Sequence, residues 1–591
     1  MTGLDRLDHR TVRIGNCSGF YGDRLSAMRE MLEGGDLDFV TGDYLAELTM
    51  LILGRDTFKD PSLGYARTFV KQAEECMGIA LEKGVRIVSN AGGLNPSGLA
   101  DRLREIATGL GLDPSIAHVE GDNLLPRAEV LGFTSEYGNP LTANAYLGAW
   151  GIATALDAGA DIVVTGRVTD ASVVVAPAAH VHGWEPESYD ELAGAVVAGH
   201  VIECGTQATG GNFSGFRTLM DAGRIKPEQP LGFPLAEVAA DGSFVVTKHA
   251  GTGGAVTPDT VTAQLLYEIQ GNRYLGPDVT VDLTSIQLEE EGEDRVRVRG
   301  VRGETPPQSL KVCLNYFSGM RNAAEFVLTG LDIEEKAAWL KAQVAEATAA
   351  DPPQRLEWNT LGNLPGDAPT EESASVVLRL QAFDQDAATV GKAFTAPVIE
   401  LALASYPGFH VTRPPAAGMP YGVYRPAYVD RSEVTHTVVL PDGTRQEIPD
   451  PPTSDVLPDP TEGQRPSPYP APADRLTRRL PLGTFVHARS GDKGGDANLG
   501  LWVVRDGSDK YDARVTWLTK FMSRRRVKEL VPEAADLEVE VYVLPNLGGV
   551  NILIKGLLGE GVAATSRFDP QAKALGEWVR SRLVNIEGNV L

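Results

Sequence analysis

Two hydrophobic rhythms alternate along the first 170 residues. Short runs rich in β-branched residues read as strands, and stretches of ten to twenty residues with apolar positions three to four apart read as helices. TVRIGN (11–16), LDFVTGD (37–43), VRIVSN (85–90), IAHVEGD (116–122) and ADIVVTG (160–166) predict strands. Between them, residues 23–35, 44–53, 63–84, 97–112 and 142–160 predict helices, several stopped by glycine. Strands alternating with helices of this length indicate βαβ units around a parallel sheet.

Beyond residue 200 the rhythm is less regular. FVVTKH (244–249), VTVDLTSIQL (279–288) and SASVVLRLQAF (373–383) predict strands, and 260–269 and 332–350 predict helices. DRVRVRGVRG (294–303) alternates Arg and Val, as a half-exposed strand at a sheet edge would. Residues 441–472 contain ten prolines, which remove backbone donors and predict an extended linker that joins neither sheet nor helix for long. After it come strands at 483–490, 498–505, 537–546 and 550–558, with helices at 517–531 and 570–584. The expected architecture is α/β: a large domain (1–440) with a mostly parallel, Rossmann-like sheet flanked by helices, a linker (441–480), and a small α+β domain (481–591).

Composition narrows the function. At 591 residues, several domains with full cores are affordable. A net charge of −25 disfavours nucleic acid and anionic membrane as partners, because both are bound through Lys and Arg. Four scattered cysteines (Cys17, Cys76, Cys204, Cys313) form no CxxC pair, hence no disulfide framework or zinc knuckle. The opening MTGLDRLDHRTVRIGN lacks the apolar run of a signal peptide, and no apolar stretch approaches 18 residues. A cytoplasmic protein is expected.

In an open parallel sheet, ligands bind beyond the C-terminal strand ends. Five loops there are rich in Gly, Asn, Asp, Ser and Thr: NCSGFYGD (16–23), TGDYLAE (41–47), SNAGGLNP (89–96), EGDNLLP (120–126) and TGRVTDAS (165–172). They are expected to converge on one cleft. SNAGGLNP offers an anion cradle, with Asn90 and Asn95 beside Gly92 and Gly93 and with Pro96 opening a helix; a plain βα turn explains the same residues. Asp43 and Glu47, four apart, share a helical face as acid and base or as cation ligands, or they serve only the helix dipole. Arg167 is a carboxylate or phosphate clamp and Asp170 a base, unless the two form a structural ion pair.

HVIECGTQATGGNFSG (200–215) is the densest polar segment. Glu203 can move a proton there, Cys204 is a nucleophile if its pKa is lowered, and Gly210, Gly211 and Asn212 can hold an anion. In FVVTKHAGTGGAVTPDTV (244–261), Gly253 and His249 precede a helix N-terminus that can accept an anion, with Lys248 adding positive character; Val256 at the third glycine position argues against a dinucleotide fingerprint. His180 and His182 would share a strand face but lack a third ligand, so no metal is expected. In HARSGDKGGDANLG (487–500), a glycine-rich loop presents Arg489, Asp492 and Lys493 to an anion or docks on the large domain.

Taken in order, IGNCSGFYGD, TGDYLAELTM, DPSLGYA, SNAGGLNP, VTGRVTDAS, HVIECGTQATGGNF and KHAGTGGAVTPDTVTAQLLYEI resemble the acyclic terpene utilization protein AtuA family. RSGDKGGDANLGLW resembles that family's small ferredoxin-like C-terminal domain. The resemblance implies catabolism of acyclic terpenes and branched acids, which passes through CoA thioesters, but it assigns no residue a role. The expected function is lyase or hydratase chemistry on a branched acyl-CoA, with coenzyme A as part of the substrate, no separate cofactor, and a homo-oligomeric state. Candidate bases are Glu203, Asp170 and Asp43, and candidate donors are the amides of Gly92, Gly93 and Gly211. The alternative is a non-catalytic acyl-CoA-binding or assembly component of a catabolic complex.

Overall fold

The computed structural model describes residues 11–456, 463 and 476–591; residues 1–10 and most of the proline-rich stretch lie outside the described residues. β-branched runs form the centre of an eleven-stranded sheet. Its five inner strands are parallel, in the order Val12–Asn16, Phe39–Gly42, Arg86–Ser89, Ile162–Thr165 and Ile116–Glu120. The flanks are antiparallel. Pro234–Val238, Phe244–Lys248, Arg295–Arg299 and Gln287–Gly292 extend one side, and Thr437–Val439 and Arg445–Glu447 the other. The sheet is therefore mixed, where the sequence pattern suggested mostly parallel. The Arg/Val strand is covered by Gln287–Gly292 and is not the edge.

Helix boundaries follow local chemistry. Asn95 caps Pro96–Leu110 by accepting from the Gly98 amide at 2.9 Å. Thr257 and Thr260 form a reciprocal capping box at the start of Pro258–Leu265. Ser172–His182 and Tyr189–Ile202 are apolar nearly all round and lie within the main core. Trp150–Asp157 is the helical part of the expected 142–160 helix; Thr142–Ala145 is a strand pairing with Val312–Asn315.

That pairing belongs to a second sheet built on one long strand, Ser309–Thr329. Its first half pairs with Met419–Asp430 and its second half with Ser375–Asp384, the register shifting between Phe317 and Gly319. The described start of the proline-rich stretch also differs from expectation. Asp442 accepts from the Thr444 amide at 2.8 Å in a tight turn, and Arg445–Glu447 joins the central sheet, since those three residues keep their backbone donors.

The C-terminal part has its own core under a four-stranded antiparallel sheet, ordered Val486–Lys493, Asp496–Val503, Gly549–Ile554 and Val539–Leu544. The loop expected between the strands 483–490 and 498–505 is mostly hairpin, with Lys493 opposite Asp496 across Gly494 and Gly495. Its second strand turns one face to the large domain. Trp502 is fully buried in the main core, and its indole donates to Asp259 at 3.2 Å. At Gly500 a Cβ would stand 2.5 Å from the Leu266 Cβ, so only glycine allows this approach. His487 packs edge-on against Phe213 and Trp502, at 5.2 and 5.6 Å between ring centroids.

Two predictions follow from this packing. Gly500→Val should lower thermal stability by about 1–3 kcal/mol through overpacking, as read by calorimetry; an unchanged melting temperature contradicts the contact. Burial, with Arg580 adding, pushes the His487 imidazole down to about 3. The unfolded chain takes up that proton near pH 6.5 and the folded chain does not, so this contribution is complete above about pH 6.5 and is lost as the pH falls towards the folded value. Between about pH 7 and about pH 5, His487→Gln should lose less stability than the parent chain; equal losses contradict the assignment.

Candidate functional site

Three of the five polar loops open onto one cavity of about 690 Å³ where the C-terminal part docks. The loop after Val12–Asn16 supplies Gly19, Phe20 and Asp23; the one after Phe39–Gly42 supplies Asp43 and leads to Glu47; the one after Ile162–Thr165 supplies Arg167, Thr169 and Asp170. Glu203 and Cys204 enter from the end of Tyr189–Ile202. Tyr146, Glu268, Tyr274 and Lys311 come from other parts of the large domain, and Asp492, Lys493 and Lys573 from the C-terminal part.

Buried amides and one buried cation fix this geometry. Asn16 donates to the carbonyls of Ser18, Ile202 and Glu203 at 2.8–3.0 Å, tying the first loop to the Glu203 turn. A Cβ at Gly19 would lie 2.7 Å from the Cys204 backbone, so glycine is required at this contact. Asn90 donates to Asp43 at 2.5 Å and accepts from the Tyr44 amide at 2.8 Å. Arg167, 2% exposed, donates to Asp170 at 2.6 Å and to the Leu45 carbonyl at 3.0 Å, with its guanidinium 4.2 Å over the Tyr146 ring. Asp122 accepts from the Arg167 amide at 2.9 Å and from Asn144 at 2.7 Å.

The site separates its carboxyl groups by charge state. Burial pushes the Glu203 carboxyl well above the usual range, and Asp170 and Glu268 push the same way against Lys493 and Arg167. Burial and Asp170 likewise raise Asp43. Against burial, Lys311, Arg167 and Lys493 hold Glu47 down at about 2. Lys311 stands 3.5 Å from Glu47, which also accepts from the Tyr146 hydroxyl at 3.3 Å. Burial, then Glu268, raises Asp492 to about 7. Burial works to lower Lys493, yet Glu268, Glu47, Asp170 and Glu203 outweigh it and raise its pKa. Burial lowers His200 to about 4, so His200 is neutral near pH 7, with Nδ1 3.1 Å from Glu203 Oε1. Glu203 Oε2 is buried without a hydrogen-bond partner among the described residues. The pair thus sets a neutral imidazole against a carboxyl that holds its proton more tightly than usual.

The sequence-predicted residues divide by location. Asp43, Arg167, Asp170, Glu203, Cys204, Gly211, Asn212, Asp492 and Lys493 line the cavity. Asp43 precedes the helix Glu47–Lys59, so the two acids meet in the cavity without sharing a helical face. Asn90 and Arg489 act one layer back; Arg489 donates to the Asn212 carbonyl at 2.9 Å and to Gln207. The proposed amide donors are engaged internally where a partner is present: Gly211 to Thr206 at 2.9 Å and Gly93 to Asn90 at 3.2 Å. Gly92, Gly93, Asn95, Gly210, Gly253 and His249 are not cavity-lining residues. Gly92 packs on the Thr165 carbonyl, Gly210 ends a short 3-10 turn, Gly253 bridges to Leu231, and His249 pairs with the Met31 carbonyl at 2.9 Å. Lys248 is 3.1 Å from Asp294, away from the cavity. Burial raises the Cys204 thiol further, opposing thiolate formation.

His180 and His182 lie on a helix, 2.5 Å from Asp157 and 3.1 Å from the Val238 carbonyl respectively. Among the described residues no group of three His, Cys, Asp or Glu is placed to hold a metal ion. No described helix is long and apolar enough to cross a membrane.

The sequence reading did not find Asn16, Tyr146, Glu268, Tyr274, Lys311 or Lys573 as site residues. Lys311 sits in the long strand Ser309–Thr329, whose alternation runs LKVCLNYF with one cation on the cavity side. Glu268 lies near the end of the segment KHAGTGGAVTPDTVTAQLLYEI without standing out in it, Lys573 lies in none of the segments singled out for their chemistry, and the two meet only through domain docking. Arg167 is the site's structural centre. Arg167→Met should cost about 3–5 kcal/mol, because Asp170 is left without its cation. A denaturant midpoint shift equivalent to under about 1 kcal/mol contradicts that role.

A family model for acyclic terpene utilisation family protein AtuA matches residues 12–440. A second, for the AtuA ferredoxin-like domain, matches residues 480–585. No match is found among curated proteins. With the first model spanning well over half of the chain and the second covering the docked C-terminal part, the chain belongs to the acyclic terpene utilisation family AtuA.

Proposed function

We propose that the chain is an enzyme of acyclic terpene or branched-acid catabolism that acts on a branched acyl-CoA by lyase or hydratase chemistry. The observation that carries this reading is Glu203: a buried carboxyl with a raised pKa, one oxygen against neutral His200 and the other buried without a hydrogen-bond partner among the described residues, in the wall of a cavity also lined by Arg167 and Lys493. Both reactions require a proton to move at the carbon next to a thioester or at a hydroxyl, and a cation or donor near the oxygen that gains charge. Protonated Glu203 is the acid at that carbon. Asp170, 2.6 Å from Arg167, is the base for water or a β-hydroxyl, and Lys493 balances charge on the thioester oxygen.

The cavity volume of about 690 Å³ lies within the range of small-molecule sites, about 300–1,000 Å³. Its walls mix Phe20, Leu45, Leu275 and Leu310 with the charged groups, as an apolar branched chain bearing one polar reacting end requires. The net charge of −25 makes the local cations necessary for any CoA ester.

The test is a panel of branched acyl-CoA thioesters incubated with purified protein and followed for new products. Conversion is expected, and Glu203→Gln should lower turnover by about 100-fold or more with substrate binding retained. Binding without conversion by the parent chain makes it a non-catalytic acyl-CoA-binding component, and full turnover by the variant removes Glu203 from the chemistry.

A further inference from the structure

The helix Pro258–Leu265 ends and the chain turns through Glu268, whose φ is +56°. Past a helix end, this left-handed conformation is ordinarily taken by glycine, and a residue with a long side chain holds it only when its surroundings demand it. The demand comes from the C-terminal part. Asn498 accepts from the Glu268 amide at 2.8 Å, and both Asn498 and Asn551 donate to the Ile269 carbonyl, at 3.3 and 3.2 Å. The two asparagines also bond to each other. Both are fully buried, on neighbouring strands of the small sheet. This pair clamps the Glu268–Ile269 segment of the large domain. The carboxylate it fixes lines the cavity, with Lys573 at 3.9 Å.

We infer that Glu268 is a substrate-facing carboxylate of the site, and that the C-terminal part builds the site by holding Glu268 in its left-handed turn through Asn498. A purely structural turn would be served better by glycine, which takes this backbone without strain. The side chain is thus kept at a conformational cost, and its surroundings are Lys493, Lys573 and Asp492, all cavity residues contributed by the C-terminal part. In this arrangement the small domain is part of the catalytic body and not a detachable docking module. Asn498 is a positioning residue that acts through Glu268.

The inference rests on the functional reading above for its turnover arm only. In the full-length chain, Glu268→Gln should lower kcat about 100-fold with KM changed less than about threefold. Asn498→Ala should lower kcat and also move any pH-profile limb near 7, set by Asp492, towards lower pH as Glu268 leaves its neighbourhood. Glu268→Gly should melt no lower than the parent chain, because glycine relieves the strained turn. A kcat for Glu268→Gln within about threefold of the parent overturns the inference, as does a Glu268→Gly melting temperature several degrees lower. If the parent chain converts none of the thioesters, the lyase or hydratase reading fails. Glu268 is then judged by calorimetric affinity for a thioester the parent binds, where a tenfold change supports its place and an unchanged Kd overturns it. If none binds, the Glu268→Gly melting temperature decides alone.

Discussion

The site depends on one dry cation. Arg167 is almost completely removed from solvent, and its charge is met by Asp170, the Leu45 carbonyl and the face of Tyr146. A guanidinium in such surroundings is tolerated only with counter-charge close by; here Nη1 makes both side-chain hydrogen bonds, and Nε is buried without a partner among the described residues. This requirement joins the end of Ile162–Thr165 to the turn after Phe39–Gly42 and forces acidic side chains to gather around it. Asp43, Glu47, Asp170 and Glu203 all answer to the field of Arg167.

Gathering four acids round a single guanidinium cannot leave all of them ionised. The structure resolves this by position. Glu47 sits at the Lys311 side and stays charged, whereas Asp43 and Glu203 lie where burial outweighs the cations and hold protons more tightly. Carboxyl groups pushed apart in this way supply an acid and a base within one cavity at one pH. Lys493, from the C-terminal hairpin, enters the same balance, so docking of the small sheet is an electrostatic event as well as a packing one.

Much of this was legible from residue order. The five inner strands, the glycine-bearing reversals after them and the cavity residues Asp43, Arg167, Asp170, Glu203 and Lys493 follow from periodicity and loop composition. Other features were hidden for physical reasons. Helices Ser172–His182 and Tyr189–Ile202 are buried on nearly every side, so they lack the polar face that marks a surface helix. Ser309–Thr329 is one strand serving four partners, and its Gly, Asn and Arg positions interrupt any simple alternation. The glycines of SNAGGLNP fit an anion cradle or a plain βα turn equally well by sequence, and in the fold they let the backbone pass close to Thr165 and Gly64. The side chain that serves the site from that loop is Asn90. Glu268 could not be found locally, because its role arises from a contact 230 residues away in the chain.

The account stands or falls on a protonated Glu203 at neutral pH inside a cavity that also holds Arg167 and Lys493. Infrared difference spectroscopy between the parent chain and Glu203→Gln near pH 7 reads this directly. The account predicts a protonated-carboxyl C=O band present in the parent and missing from the variant. A difference spectrum showing the loss of ionised carboxylate bands alone would contradict it.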